Sequence, residues 1–177
     1  MLIDALLVLV LILALFVALS MLAHIWIQVP FVPTHKNIAK KMVELADLKE
    51  GHVVYDLGAG DGRILVEAKR HCPGVIAIGY EFTPSVWLWG CLYVWCAGVD
   101  VSMRRGNAFA QDISDADVIF LYLFPEVIAK LETKFDAELQ RGTRVISHAF
   151  KFPTKTPIGE EVVQVGRREK KVFVYEW

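Results

Sequence analysis

Short apolar runs alternate with amphipathic stretches along most of the chain beyond residue 50. The runs predict strands at 53–57, 75–81, 100–104, 117–123, 143–149, 161–166 and 171–176. The stretches between them predict helices at 62–71, 84–97 and 125–140, and helical spacing of apolar residues predicts an earlier helix, capped by Thr34, that stops near Gly51. Alternation of strands and helices is typical of a parallel sheet that is covered by helices on both faces.

The last two predicted strands have no helix between them. Residues 166–169, Gly-Arg-Arg-Glu, indicate a hairpin turn instead, so one of these strands must run antiparallel. The pattern therefore predicts an α/β fold, a Rossmann-like doubly wound sheet of seven strands with a C-terminal antiparallel hairpin. Ligands of such sheets bind at the carboxyl ends of the strands, where Gly58, Glu81, Asn107 and Tyr122 all fall.

The N-terminal segment is apolar from Ala5 to Ala23 except for Ser20. A helix of this length crosses about 30 Å of hydrocarbon. No Lys or Arg precedes Lys36, which argues against a signal peptide and against a mitochondrial transit peptide. We therefore predict a single uncleaved transmembrane anchor in residues 1–29 and a separate domain in residues 30–177. Lysines just after the span, at 36, 40 and 41, predict that this domain faces the cytoplasm.

The composition of the chain argues mainly against certain partners, namely nucleic acids and metal ions. The chain has 177 residues and a net charge of −1, so no basic footprint for a nucleic-acid partner is present. Its three cysteines, Cys72, Cys91 and Cys96, have no paired or metal-binding spacing. We expect reduced, buried thiols and no metal.

The most specific motif follows the first strand of the predicted sheet. Residues 53–62 read Val-Val-Tyr-Asp-Leu-Gly-Ala-Gly-Asp-Gly, and Glu81 follows at the end of the next predicted strand. Glycines at alternate positions let the backbone approach a ligand and aim helix N–H groups at it. An acid at the position of Glu81 can accept hydrogen bonds from both hydroxyls of a ribose. The pair therefore predicts a nucleoside cofactor.

The details of the motif distinguish between cofactors. The nicotinamide fingerprint is G-x-G-x-x-G, whereas here the third glycine comes two residues after the second. Asp56 and Asp61 would repel a pyrophosphate but tolerate a cofactor that carries a sulfonium and an ammonium group. The spacing Asp-x-Gly-x-Gly-x-Gly resembles the first motif of class I S-adenosylmethionine-dependent methyltransferases. S-adenosyl-L-methionine is accordingly the expected cofactor.

A closer resemblance rests on three segments: Pro-Phe-Val-Pro-Thr at 30–34, the glycine motif through Arg63, and Arg-Val-Ile-Ser-His at 144–148. Together they resemble small seven-strand protein-lysine methyltransferases, a family with archaeal broad-specificity members and mitochondrial membrane-anchored ones that modify the adenine nucleotide translocase and the ATP synthase c-subunit. The resemblance implies that residues 30–177 form the methyltransferase domain, with a protein substrate that could be membrane-embedded. It also implies that the proline-rich motif lies over the cofactor.

The expected site residues follow from these resemblances. The cofactor-binding residues are Thr34, Asp56, Gly58, Ala59, Gly60, Asp61, Gly62, Glu81, Asn107 and Ala108, and the catalytic residues are Phe31, Pro33 and Tyr122. Phe31, Tyr80 and Tyr122 could form a dry aromatic pocket that favours a neutral amine over an ammonium. His148, at the end of the fifth predicted strand, is more readily a structural residue than a base.

Several alternatives stay open. Asn107 could simply form a turn, the proline-rich motif could only shape a linker, and Tyr122 could mark only the end of a strand. The substrate could be a lipid, a quinone or another small apolar molecule, or the chain could be an inactive cofactor-binding scaffold. The rings of helix 84–97, at Trp87, Trp89, Tyr93 and Trp95, could touch a bilayer, but we expect them to fill the core between helix and sheet.

Overall fold

The computed structural model describes residues 2–27 and 31–177, and the side chains of residues 4–18 and 31–177. The helices are α1 (Leu2–Ile27), α2 (Lys36–Leu45), α3 (Arg63–His71), α4 (Pro84–Ala97) and α5 (Pro125–Glu138). The strands are β1 (Val53–Leu57), β2 (Ile76–Glu81), β3 (Val101–Arg105), β4 (Val118–Leu121), β5 (Arg144–His148), β6 (Gly159–Val165) and β7 (Arg168–Glu176). A short 3-10 turn at Ala108–Ala110, which the sequence pattern does not predict, follows β3.

The seven strands form one sheet in the order β3-β2-β1-β4-β5-β7-β6. Strands β1 to β5 are parallel, whereas β7 pairs antiparallel with both β5 and β6. The predicted seven-strand sheet and its closing hairpin are therefore confirmed. Because the order reverses direction at β1, the crevice at the carboxyl ends of β1 and β4 is the expected ligand site of such a sheet.

Each face of the sheet has its own apolar core. On one face, α2 and α3 cover a cluster that includes Met42, Leu65 and Phe120. On the other face, α5 covers a cluster that includes Leu131 and Phe135. The four residues of β4 are all buried because this central strand is covered on both sides. Because helices pack on both faces of the sheet, the ends of its central strands are held in fixed positions.

Helix α2 begins one residue later than the predicted cap. His35 is the N-cap, and its Nδ1 accepts a hydrogen bond from the N–H of Asn37 at 3.3 Å. The prediction that Thr34 caps this helix is therefore wrong. Thr34 is instead buried against the rest of the domain, where its backbone carbonyl is held by a distant side chain described below.

The N-terminal helix α1 exposes large apolar side chains along the part whose side chains are described, from Leu6 to Val17. A helix with both the length and the apolar composition that a bilayer crossing requires is not found within the described residues. The predicted transmembrane helix is therefore not supported by the structure. Pro30 and the predicted domain boundary at residues 29 and 30 lie outside the described residues.

Helix α4 contradicts the expectation that its rings fill the core. Its buried positions are Val86, Gly90 and Val94. Trp87 is half-buried and its Nε1 donates to the carbonyl oxygen of Met103 at 3.1 Å, but Trp89 is 57% exposed and Trp95 is 77% exposed. Only one narrow side of α4 can face the sheet, so most of its rings point away from it.

The three cysteines are free thiols. Cys72 and Cys91 are half-buried, whereas Cys96 at the end of α4 is exposed. The expectation of buried thiols is therefore wrong for Cys96. Like Trp89 and Trp95, this residue lies on the side of α4 that faces away from the sheet.

Candidate active site

A cavity of about 330 Å³ opens at the carboxyl ends of the central strands. The predicted site residues that line it are Phe31, Pro33, Thr34, Asp56, Gly58, Ala59, Gly60, Asp61, Glu81, Asn107, Ala108 and Tyr122. Gly62 does not line it: a β-carbon there would lie 3.0 Å from Met103 Sδ and from Val94 Cγ2, so this glycine serves the packing of α3 against α4 and β3. The structure thus brings residues from five separate segments to one place, and their individual roles stay predictions.

The floor of the cavity is the glycine loop after β1. Gly58 and Gly60 have φ of 85° and 58°, in the left-handed region that favours glycine. A β-carbon on Gly58 would lie 2.8 Å from Leu123 Cδ2, and one on Gly60 would lie 2.6 Å from Phe31 Cε2. Both conformation and space therefore exclude larger residues. The N–H groups of Gly58 and Ala59 donate to the carbonyl of Tyr80 at 2.9 and 3.0 Å, which ties the loop to β2.

Glu81 holds the same loop from the side. Its Oε2 accepts from the N–H of Gly60 at 3.0 Å and its Oε1 accepts from the N–H of Thr83 at 2.8 Å. The side chain is buried at the edge of the cavity. Each carboxylate oxygen can accept more than one hydrogen bond, so both can still receive a ribose hydroxyl. Thr83 is a contributor that the sequence pattern did not single out.

Asp61 and Arg63 connect the loop to the proline-rich motif. The Arg63 Nε donates to both carboxylate oxygens of Asp61, at 2.9 and 3.1 Å, and its Nη1 donates to the carbonyl of Thr34 at 2.8 Å. Among the described residues, Arg63 is the one cation on the cavity wall. In the sequence, Arg63 stands out only as the end of a motif. Its proximity to Asp61 is visible there, but its contact with Thr34, 29 positions away, is not.

Asp56 is the most perturbed acid of the site. It is buried at the end of β1, and burial raises its pKa to about 8, with further contributions from the negative charges of Glu81 and Asp61. No side-chain hydrogen bond to it is found within the described part of the chain. A cation in the cavity would therefore lower the free-energy cost of ionising Asp56.

The remaining wall is aromatic. Phe31 lies at the mouth, half-exposed, with its ring against Gly60, and Pro33 is exposed beside it. Tyr122 is half-buried after β4, and its ring centroid lies 4.0 Å from that of His148. Burial lowers the pKa of His148 to about 4, and within the described residues neither ring nitrogen has a hydrogen-bond partner. His148 therefore packs against Tyr122 as a neutral ring, and a pKa this low makes it a weak base.

Asn107 follows β3 at the far wall. Its Oδ1 accepts from the N–H of Phe109 at 3.0 Å, which caps the 3-10 turn at Ala108–Ala110. This is the turn-forming role that the sequence left open, and the side-chain amide N–H groups stay available to a ligand. Contact of Asn107 and Ala108 with an adenine ring remains a prediction.

The residues present suit a cationic nucleoside cofactor. Gly58 and Gly60 line the cavity with bare backbone, since a β-carbon at either position would meet Leu123 or Phe31, and Glu81 offers two acceptors for a ribose. Asp61 is an acid paired with Arg63, and Asp56, whose pKa is raised to about 8, is an acid that a nearby cation would favour in its ionised form. A pyrophosphate would meet carboxylates here, whereas a sulfonium and an ammonium group would be stabilised.

Comparisons with known proteins agree with this geometry. Residues 56–159 match the model of the ANTKMT methyltransferase domain. The chain is 35% identical over 152 residues to a protein-lysine N-methyltransferase of Saccharolobus islandicus, with 84% of this chain and 93% of that protein covered. It is also 35% identical over 154 residues to the adenine nucleotide translocase lysine N-methyltransferase of Mus musculus, with 85% of this chain but only 64% of the mouse protein covered.

A solved structure shares the fold and much of the sequence. It is that of an RNA methyltransferase from Salinibacter ruber in complex with S-adenosyl-L-homocysteine, with 37% identity, a TM-score of 0.74, and coverage of 82% of this chain and 93% of that one. The family match spans the glycine loop, Glu81 and Asn107, and the cavity has the charge that a sulfonium cofactor requires. The chain therefore belongs to the family of the ANTKMT methyltransferase domain and is an S-adenosylmethionine-dependent methyltransferase.

Proposed function

We propose that the protein transfers a methyl group from S-adenosylmethionine to a lysine side chain of a protein. The observation on which the proposal rests is the aromatic part of the cavity wall. Phe31 and Tyr122 line it, and the imidazole of His148, which packs on the ring of Tyr122, is a weak base because burial lowers its pKa to about 4. Relatives in an archaeon and in the mouse are named for lysine N-methylation, which supports the same substrate class.

The cofactor, when bound, supplies an electrophilic methyl group on a cationic sulfur. The chain contributes the binding geometry: the glycine loop provides a close backbone surface, Glu81 accepts from the ribose, and Asp56 balances positive charge. Arg63 fixes the carbonyl of Thr34, so that Phe31 and Pro33 stay over the loop. These contacts set the direction of the methyl group before the acceptor arrives.

The acceptor must reach the methyl group as a neutral amine. A lysine with a pKa of about 10.4 is neutral roughly once in a few thousand molecules at pH 7, a cost of about 4–5 kcal/mol. A dry pocket of aromatic rings lowers this cost because it disfavours the ammonium form. The amine can then lose its proton to water, so no protein base is needed, and alignment of the two reactants supplies most of the rate.

The test is methyl transfer from a radiolabelled cofactor by the purified full chain to three separate fractions of the native cells: protein, RNA and lipid extract. We expect label on protein, resistant to ribonuclease and located on lysine by mass spectrometry. Glu81→Ala should abolish labelling through loss of cofactor binding. Glu161→Ala, which removes an exposed carboxylate from β6, is the matched control and should label normally.

The other fractions decide between the alternatives. Ribonuclease-sensitive label would favour RNA, the substrate class for which the Salinibacter ruber enzyme is named. Label only in the lipid extract would favour a lipid or quinone substrate. Binding of S-adenosylhomocysteine without transfer to any fraction would favour an inactive scaffold. Any of these three results would overturn the lysine proposal.

We further propose that α1 attaches the enzyme to a membrane and that the methyltransferase domain faces the cytoplasm. The support lies in the exposed apolar side chains from Leu6 to Val17 and in the three lysines, at 36, 40 and 41, that follow the segment. Surfaces of this kind normally contact lipid or another protein. A cytoplasmic domain should be digested by protease only after the cells are opened; digestion in intact cells would refute the orientation.

Sedimentation with vesicles tests the attachment itself. The full chain should pellet with vesicles of phosphatidylcholine and phosphatidylglycerol and stay bound in high salt, because apolar contacts are not screened. Recovery of the full chain in the supernatant would overturn the attachment and leave the proposed reaction untouched.

A further inference from the structure

Helix α4 carries an apolar surface that neither the cofactor site nor the core uses. Its exposed residues are Leu88, Trp89, Leu92, Tyr93, Trp95 and Cys96. At 3.6 residues per turn they fall within one arc of about 160° on the helix surface. The helix contains no charged residue. We call these six residues the α4 outer face.

We propose that the α4 outer face lies against the surface of a lipid bilayer. This inference rests on the proposed membrane attachment, and it adds which side of the catalytic domain faces the lipid. Tryptophan and tyrosine, with leucine between them, are the residues that concentrate where protein meets the headgroup region, since their rings combine an apolar body with a polar tip.

Two elements next to α4 also favour a lipid bilayer as the partner of the α4 outer face. Helix α1, which exposes apolar side chains along its described part, contacts α4. Strand β3, at the edge of the sheet beside α4, exposes Arg104 and Arg105. Because side chains alternate along a strand, Arg105 lies on the same side of the sheet as Met103, which packs against α4. An apolar face with arginine at its border complements anionic lipid headgroups.

The buried side of α4 connects this surface to the cofactor loop. A β-carbon on Gly90 would lie 2.8 Å from the carbonyl oxygen of Gly60 and 2.7 Å from Met103 Cε. The loop is therefore separated from the α4 outer face by little more than the thickness of one helix, about 10 Å. A bilayer on this face would bring the active site to lysines close to the membrane surface, which narrows the class of protein substrate.

Cys96 provides a native position for a probe. In the full chain, Cys72→Ala and Cys91→Ala leave Cys96 as the one thiol for an environment-sensitive fluorophore. The matched control adds Cys96→Ser and places the thiol by Arg167→Cys in the hairpin between β6 and β7, at the opposite edge of the sheet. Both proteins keep α1, and both must first bind S-adenosylhomocysteine as the unmodified chain does.

Vesicles of phosphatidylcholine and phosphatidylglycerol should shift the emission of the Cys96 probe to the blue and shield it from aqueous iodide. The probe at position 167 should show neither change although its protein pellets equally. Trp95→Asp should weaken vesicle binding about tenfold or more, since it replaces an apolar contact by a charge.

Three results would overturn the inference. Equal signals from both probes while the proteins pellet would show that the attachment stands but that α4 does not touch lipid. Failure of both proteins to pellet would remove the attachment and this inference together, whereas methyl transfer, measured separately, would be unaffected. A blue shift that grows with protein concentration in the absence of vesicles would assign the face to a second copy of the chain.

Discussion

Replacing Asp56 by asparagine should stabilise the protein in the absence of cofactor, and the gain should depend on pH. The Asp56 carboxyl is 2% exposed, and its pKa is raised from 3.8 to about 8, chiefly by burial and then by the charges of Glu81 and Asp61. Asparagine has nearly the same shape but no charge. The substitution therefore removes the free-energy cost of burying an ionised carboxylate at position 56 and changes the packing little.

The sign and size follow from linkage between protonation and folding. The folded state holds the proton up to about pH 8, whereas the unfolded chain releases it near pH 4, so the contribution of Asp56 to stability is lost as the pH rises between these values. A difference of about four pKa units corresponds to about 6 kcal/mol, an upper limit because the structure can relax around the charge. The advantage of Asp56→Asn should grow by about 1.4 kcal/mol for each pH unit between pH 5 and pH 8.

The assay is urea unfolding of the full chain at several pH values from 5 to 9, followed by the same series for Asp56→Asn. Asp100→Asn, an exposed acid just before β3, is the matched control, and its difference from the original chain should stay flat over this range. A difference between Asp56→Asn and the original chain that does not change from pH 5 to pH 8 would refute the assignment of the raised pKa to Asp56.

Three further predictions concern the loaded site. Binding of S-adenosylmethionine should release protons at pH 7 and tighten as the pH rises towards 8, because a cation in the cavity favours ionised Asp56; calorimetry in two buffers of different ionisation enthalpy measures this, and no proton release would contradict it. Gly60→Ala should lower methyl transfer at least tenfold by displacing the ring packed on it, whereas Gly166→Ala, with φ of 61° and nothing within 4 Å of its β-carbon, should cost only about 1 kcal/mol of stability. Arg63→Lys should raise the KM for the protein substrate more than the Kd for S-adenosylhomocysteine, since lysine cannot bridge Asp61 and the carbonyl of Thr34; equal changes would indicate that Arg63 acts only on the loop.

Much of the fold could be predicted because its signals are local. Apolar runs of strand length separated by helical stretches leave few alternatives to a doubly wound sheet, and the turn at Gly166 shows that the last two strands form a hairpin. The glycine loop was equally readable, because Gly58 and Gly60 each have a backbone conformation that other residues rarely adopt. Predicted strand limits differ from the observed ones by up to three residues, the largest difference being at the start of β7, as expected where pairing with neighbours decides where a strand ends.

The predictions that are wrong for α4 and for the start of α2 concern the direction of side chains or contacts between residues distant in the sequence. The sequence of α4 shows an apolar helix, but it does not show that only Val86, Gly90 and Val94 are buried. The prediction that Trp89 and Trp95 fill the core is therefore wrong. The contacts of Arg63 and the cap by His35 depend on where the chain turns after the N-terminal segment. Such turns are set by tertiary packing, on which propensity has little influence.

The glycine loop is held on three sides before any cofactor enters. The carbonyl of Tyr80 fixes Gly58 and Ala59 from β2, the carboxylate of Glu81 fixes Gly60, and the ring of Phe31 packs on the same glycine from above. Glycine loses more conformational freedom on ordering than any other residue, so a free loop of this composition would have to be ordered by the ligand. Here folding has already ordered it, and binding energy of the cofactor can instead be used to ionise Asp56 and orient the methyl group.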